Sequence, residues 1–384
     1  MTPPHRRVTR RAILRAALAA PMLNLGRFRL FPGQRTGYSA RCLSLMQDTT
    51  VVDGLSVLTI GGKWQEWARA PETFTEADFT RYRDSGIQVF HHAFGSGGPS
   101  AYENAINYFG AVNALIAGAE QYFMRIDSAA DFSRVKRSGK IGILPGLQNA
   151  EHFRRPADVP FFFGLGQRVA QLTYNARNLI GNGSTERRDE GISDFGAGII
   201  AQMNKTGMAI DVSHCGDRTT LDAFELSKMP VLITHSNCRA LVPGHPRCKT
   251  DDAIRAVGKA GSVMGITGVR NFVKAAEPTT VEDVLDHFDH VRKLIGSEHL
   301  GVGSDMDLDG YDDLPAEAQK QLRANYKDSY SFRAKIDIEG LDHPQRMFDL
   351  TEGLIRRKYS DAEIRGVLGG NFSRVLTQIW AGMK

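Results

Sequence analysis

Two histidines, His214 and His235, each stand where a short apolar run stops. The runs are Gly207-Met-Ala-Ile-Asp-Val-Ser-His-Cys215 and Pro230-Val-Leu-Ile-Thr-His-Ser236. Runs this apolar fit strands buried on both faces of a parallel sheet. Between them, Asp217 to Lys228 has helical spacing and helix formers. Strand, helix, strand then brings both imidazoles to one edge of the sheet. Neutral imidazoles that converge there can bind a metal or move protons; the plainer alternative is a pair of buried, hydrogen-bonded histidines. Asp305 ends another apolar run, Gly301-Val-Gly-Ser-Asp305. A carboxylate buried there needs a metal, a water or a histidine as partner, unless it caps a helix or turn. Cys215 follows His214 directly, but successive strand residues face opposite ways, so Cys215 reads as a buried thiol rather than a ligand.

The elements that must position these groups repeat one grammar. Short β-rich runs alternate with helical segments, the pattern of βα units around a parallel sheet. Eight candidate strands are legible: 50–57, 87–93, 141–147, 169–174, 208–213, 231–234, 262–267 and 300–304. Helical spacing marks 76–85, 101–122, 194–206, 250–259, 280–294 and 360–368, while Pro156, Pro160 and Phe161 to Phe163 suggest an irregular insertion. An open doubly wound sheet would carry a glycine-rich phosphate loop after its first strand, and Asp53-Gly-Leu-Ser56 is no such loop. The prediction is an α/β fold, a (β/α)8 TIM-type barrel, with function at the carboxyl ends of its strands. Those ends carry Asp53, the pair His91 and His92, Gln148, Tyr174 and Asn175, then His214, His235 and Asp305. Only one of His91 and His92 can point into the barrel.

Bulk properties limit the partners. The 384 residues are 42% hydrophobic and 24% charged, enough for a sizeable core. The net charge of +5 equals the contribution of Arg6, Arg7, Arg10, Arg11 and Arg15, so the rest of the chain is neutral, which argues against nucleic-acid binding. Thr9-Arg-Arg-Ala-Ile-Leu-Arg15, followed by the modestly apolar Ala16 to Leu25, resembles a twin-arginine export signal. Residues 1–26 are therefore expected to direct export to the periplasm or the outer side of a membrane, and residues 27–384 to form a single barrel. Four cysteines in a chain this long do not make a disulfide framework.

Several ordered blocks carry a more specific likeness. They include Gly191-Ile-Ser-Asp-Phe-Gly196, Asp211-Val-Ser-His214, His235-Ser-Asn-Cys-Arg-Ala-Leu241, Pro246-Arg-Cys-Lys-Thr-Asp-Asp252, Gly301-Val-Gly-Ser-Asp305 and Gly369-Gly-Asn-Phe-Ser-Arg-Val375. The chain resembles the membrane (renal) dipeptidase family of zinc peptidases, which use an amidohydrolase-type barrel and hold two zinc ions. The resemblance implies that His214 and His235 bind the second zinc. It implies that Asp305 binds the first metal and handles the proton of the attacking water, and that Arg247 grips a substrate carboxylate.

Other positions depart from the family pattern. Leu55 and Val57 stand where two ligands of the first zinc are expected, Gln148 where the bridging glutamate is expected, and Tyr174 where a substrate-contacting histidine is expected. An aliphatic side chain cannot ligate, and an amide brings no negative charge. The expectation is one zinc rather than two, on His214, His235 and a third ligand drawn from Gln148, Asp305 or one of His91 and His92. Asp305 would be the general base. The expected substrate is a dipeptide or related amide with a free carboxylate, contacting Arg247, Tyr174 and Asn175, on a chain that pairs as family homodimers often do. The alternative is a non-catalytic barrel that binds small carboxylated peptides or amino-acid derivatives.

Overall fold

In the computed structural model, which describes residues 26–31, 37–95, 97–324 and 326–382, the apolar runs become the staves of a barrel. They are β1 (Val52–Asp53), β2 (Val89–Phe94), β3 (Ile141–Leu147), β4 (Val169–Gln171), β5 (Ala209–Asp211), β6 (Val231–Ser236), β7 (Met264–Ile266) and β8 (Leu300–Val302). Each pairs in parallel with the next, and a short strand, Phe123–Arg125, adds to β3 off this path. Closure comes just past β1 and β8, where Gly54 N donates to Val302 O at 2.7 Å and Asp305 N to Leu55 O at 2.9 Å. Each of the eight predicted strands has an observed counterpart; most are shorter, β3 keeps its bounds, and β2 and β6 run on to Phe94 and Ser236. Residues 55–57 and 172–174 have left the sheet and shape the rim instead.

Inward-facing Val89, Leu144, Val169, Ala209, Leu232 and Val263 form one apolar cluster with Phe372, Leu376 and Ile379 of the C-terminal helix Asn371–Ala381. That helix plugs the amino-terminal end of the barrel. The Phe372 ring lies against Gly54 and Gly301, where a Cβ would stand 2.3 and 2.4 Å from it. Each buried side chain of this size contributes roughly 1.5–3 kcal/mol, so one end is closed by hydrocarbon and the other is left for chemistry.

The helices start where side chains can satisfy their free N–H groups. Ser193 accepts from Gly196 N to open Asp194–Thr206, and Thr250 accepts from Ala253 N to open Asp251–Lys259. The stretch expected to be an irregular insertion is a helix, Asp158–Gly164. Pro160 falls in its first turn, where a missing N–H costs nothing. The extra strand Phe123–Arg125 and its helix Ala129–Ser138 were not anticipated, because three residues are too few to show a period. No described helix is long and apolar enough to cross a membrane. The arginine-rich leader lies outside the described residues.

Candidate active site

At the carboxyl ends of the strands lies a cavity of about 540 Å3. Val57, Gln148, Tyr174, His214 and Asp305 line it on the barrel side, and side chains from the 311–336 stretch line the other. His214 lines it and His235 lies fully buried behind, their Nε2 atoms 3.0 Å apart. Hydrogen bonds to the far side of each ring fix what those atoms carry. His214 Nδ1 lies 2.8 Å from Asn175 Oδ1, an amide oxygen that can only accept, so the hydrogen sits on Nδ1 and Nε2 bears a lone pair. His235 Nδ1 lies 2.8 Å from Thr234 Oγ1. That hydroxyl gives its own hydrogen to Asp211 Oδ2 at 2.8 Å, so it too accepts from the ring. Burial, and then the nearby Arg247 guanidinium, holds both imidazoles well below their usual pKa. Both are neutral, and two lone pairs face each other at a distance that a cation between them would relieve.

Besides the imidazoles, Gln148 offers the cavity wall an oxygen donor. Gln148 donates through Nε2 to Ala93 O at 3.0 Å, while its Oε1 is buried in the cavity wall without a partner. Two imidazoles, this amide oxygen and a water would make a four-coordinate set for zinc. At the seam, Leu55 is fully buried and Val57 offers the cavity only hydrocarbon. Among the described residues no three His, Cys, Asp or Glu side chains converge. His91 and His92 part as strand alternation requires. His91 points inward, where Gly146 makes room: a Cβ there would stand 2.3 Å from its Nε2. Its Nδ1 contacts Gly54 O at 2.6 Å. His92 packs outward against Trp64 and Tyr108 and accepts from Leu58 N.

Asp305 sits at φ 58°, in the left-handed region that non-glycine residues rarely adopt. Its backbone N–H is bound to Leu55 O, while its carboxylate lines the cavity with no hydrogen-bond partner among the described residues. Burial pushes its pKa up to about 7, with Arg247 pulling it down and Asp53 and Asp211 pushing it up. A carboxyl balanced there can take and return a proton near neutrality. Tyr174 stacks on His214 at 4.1 Å between centroids, and its hydroxyl pairs with that of Tyr326 at 2.6 Å.

Two expected substrate contacts have other employment. Arg247 is buried and does not line the cavity. Its Nη1 donates to Ser213 O at 2.5 Å and its Nη2 to His235 O at 2.8 Å. The fork expected to hold a carboxylate donates to the backbone at Ser213 and His235, while its Nε is buried without a partner. Asn175, also in the left-handed region, stands behind His214 instead of facing the cavity. Sequence reasoning missed Tyr311, Tyr326 and Phe332, which complete the cavity; their only signal was aromatic residues in an otherwise polar stretch.

The family model for membrane dipeptidase, peptidase family M19, matches residues 39–325 and 331–382. The chain belongs to the membrane dipeptidase family. Among curated relatives, dipeptidase verJ of Clonostachys rogersoniana is 31% identical over 266 residues, 68% of this chain and 62% of that protein. The match thus spans less than two thirds of the relative's length. Among solved structures, an amidohydrolase from Pseudomonas aeruginosa is similar at 28% identity with a TM-score of 0.76, covering 88% of this chain and 99% of that one. A Rhodobacter sphaeroides metallopeptidase, liganded with a phosphinate mimic of L-Ala-D-Ala, shares the fold at 19% identity and a TM-score of 0.69, covering 86% and 99%. The family and these neighbours are metallopeptidase and amidohydrolase enzymes. Tyr326 and Tyr330 of the cavity wall fall between the matched segments.

Proposed function

We propose that this chain is a metal-assisted hydrolase of a small dipeptide-type amide, working with one zinc ion instead of two. The observation that carries this reading is the pair of lone-pair-bearing Nε2 atoms 3.0 Å apart, in a site whose cavity also holds the unpartnered Asp305 carboxylate. His214 and His235 would hold the ion with Gln148 Oε1, and the ion, when bound, supplies Lewis acidity. Asp305 takes the proton of the attacking water and returns it to the leaving amine. Asn175 and Thr234 keep both imidazoles in the tautomer that presents Nε2. The Tyr174 hydroxyl can donate to the amide oxygen in place of an imidazole when Tyr326 supplies the hydrogen of their mutual bond. Export by the twin-arginine route and pairing as a homodimer belong to the same reading, on the strength of the leader motif and the family.

Metal analysis of protein purified without chelator, together with turnover of a dipeptide and N-acyl amino acid panel, tests the proposal. Roughly one zinc per chain and turnover abolished by chelator are expected. Turnover that survives complete removal of zinc would overturn it. The hydrocarbon at positions 55 and 57 favours a second reading, a barrel that binds such amides without cleaving them. Calorimetric binding with no product formed in the zinc-loaded protein would select that reading.

A further inference from the structure

The segment that carries Arg247 carries a second buried cation, Lys249. Its Nζ donates to Val212 O at 2.7 Å, to Cys215 O at 2.9 Å and to Thr220 Oγ1 at 3.1 Å. All three partners are neutral. Burying an ammonium among neutral groups is costly, and a methionine would fill much the same space without that cost. What the ammonium adds is three donors directed at one place. Burial pulls its pKa down to about 8, so it is mainly cationic at neutral pH.

That place is the turn that presents His214. Every carbonyl from Val212 to Cys215 accepts from another segment of the chain. Val212 O and Cys215 O accept from Lys249, Ser213 O from Arg247 Nη1, and His214 O from Ser184 N at 2.8 Å. Arg247 and Lys249 both turn toward the 212–215 turn, while the intervening Cys248 Sγ faces Phe272 O at 3.4 Å. The backbone of Lys249 is docked just past His235. Lys249 N donates to Asn237 O at 2.8 Å, and Arg239 N donates to Lys249 O at 2.9 Å. One residue therefore spans the two segments that carry the histidines. Asn175 fixes how the His214 ring is turned, but a displaced backbone would carry the whole ring away from His235.

We infer that Lys249 is a positioning residue for the histidine pair: its ammonium clips the 212–215 turn to the segment after His235 and so sets the separation of the two Nε2 atoms. The inference deepens the one-zinc reading and rests on it only for the ion that the pair would hold.

K249M tests this in the full chain, since it keeps the bulk of the side chain and removes its donors. Zinc affinity, read by competition with a chromogenic chelator, should fall by about 10–100-fold, and the visible spectrum of the cobalt(II)-substituted protein should change with the ligand geometry. V375A, at the buried amino-terminal end of the barrel, is the control for lost stability alone: it should lower the melting temperature and leave zinc affinity unchanged. If K249M does not fold, K249Q, which retains an amide donor, should show a smaller loss in the same direction. Histidine-labelled NMR of the zinc-free protein reads the positioning without any metal. K249M should shift the ring resonances of His214 and His235, assigned with H214A and H235A, and leave those of the distant His152 in place. A folded K249M that melts lower but binds zinc as tightly as the wild type, or whose His214 resonances do not move, overturns the inference. A wild type that binds no zinc, with the K249M ring shifts still seen, would instead overturn the one-zinc reading and leave this one standing.

Discussion

The β5–β6 edge and the β8–β1 seam use the same device to different ends. At the edge, Asp211 accepts from Ser213 N and Oγ at 3.1 and 2.6 Å, and from Thr234 N and Oγ1 at 3.0 and 2.8 Å. At the seam, Asp53 accepts from Ser304 N and Oγ at 2.8 and 2.6 Å, with Arg346 3.7 Å away. Each buried carboxylate staples neighbouring strand ends. Only the edge turns that staple into a positioned donor, through Thr234 to His235. The seam positions Leu55 and Val57, so its scaffold stands without a ligand to present. The geometry of each rim segment is therefore set by bonds to backbone and hydroxyl groups, independently of the side chains it presents to the cavity.

The strongest way to break the contrast is to empty the edge. H214A/H235A should take zinc from roughly one per chain to none, measured by elemental mass spectrometry, with the fold checked by circular dichroism. Loss of a positioned base comes next. D305N should lower kcat by about 10²–10⁴-fold while leaving zinc content unchanged; a parallel loss of zinc would make Asp305 a ligand. In the zinc-free protein, carbon-13 NMR of labelled aspartate should show two carboxyls titrating at about 7, those of Asp305 and Asp307, of which D305N removes one. Below that pH Asp305 is protonated and cannot accept the water's proton, so the sign of the change is loss of base function on acidification.

Smaller effects test the supporting parts. N175A frees His214 Nδ1 and should weaken zinc binding by about 10–100-fold, read by competition with a chromogenic chelator. L55H/V57D asks whether the seam is an intact half-site without ligands. Zinc content should then rise from roughly one to roughly two per chain; a value fixed at one would show that the seam's geometry had changed along with its side chains.

Much of this was written in local pattern. The histidines at the ends of β5 and β6 followed from apolar runs of strand length, and the split of His91 from His92 from the two-residue period of a strand. The helix at Asp158–Gly164 was obscured by Pro160, whose position in a first turn cannot be told from its position in a loop until the turn is seen. Arg247 was harder. Its type suited carboxylate recognition, but which acceptors surround a guanidinium depends on segments that meet only in the folded chain.

By itself the sequence determined the barrel, the order of its strands and the side chains that reach the rim, because burial on both faces of a short strand leaves a signature in consecutive residues. Tertiary structure alone decided how those side chains are spent. The hydroxyl pair of Tyr174 and Tyr326, 152 residues apart, and the lone pairs turned toward each other on His214 and His235 both arise from contacts between distant segments. Hydrogen-bond direction and charge compensation are properties of neighbours in space, and a linear pattern does not carry them.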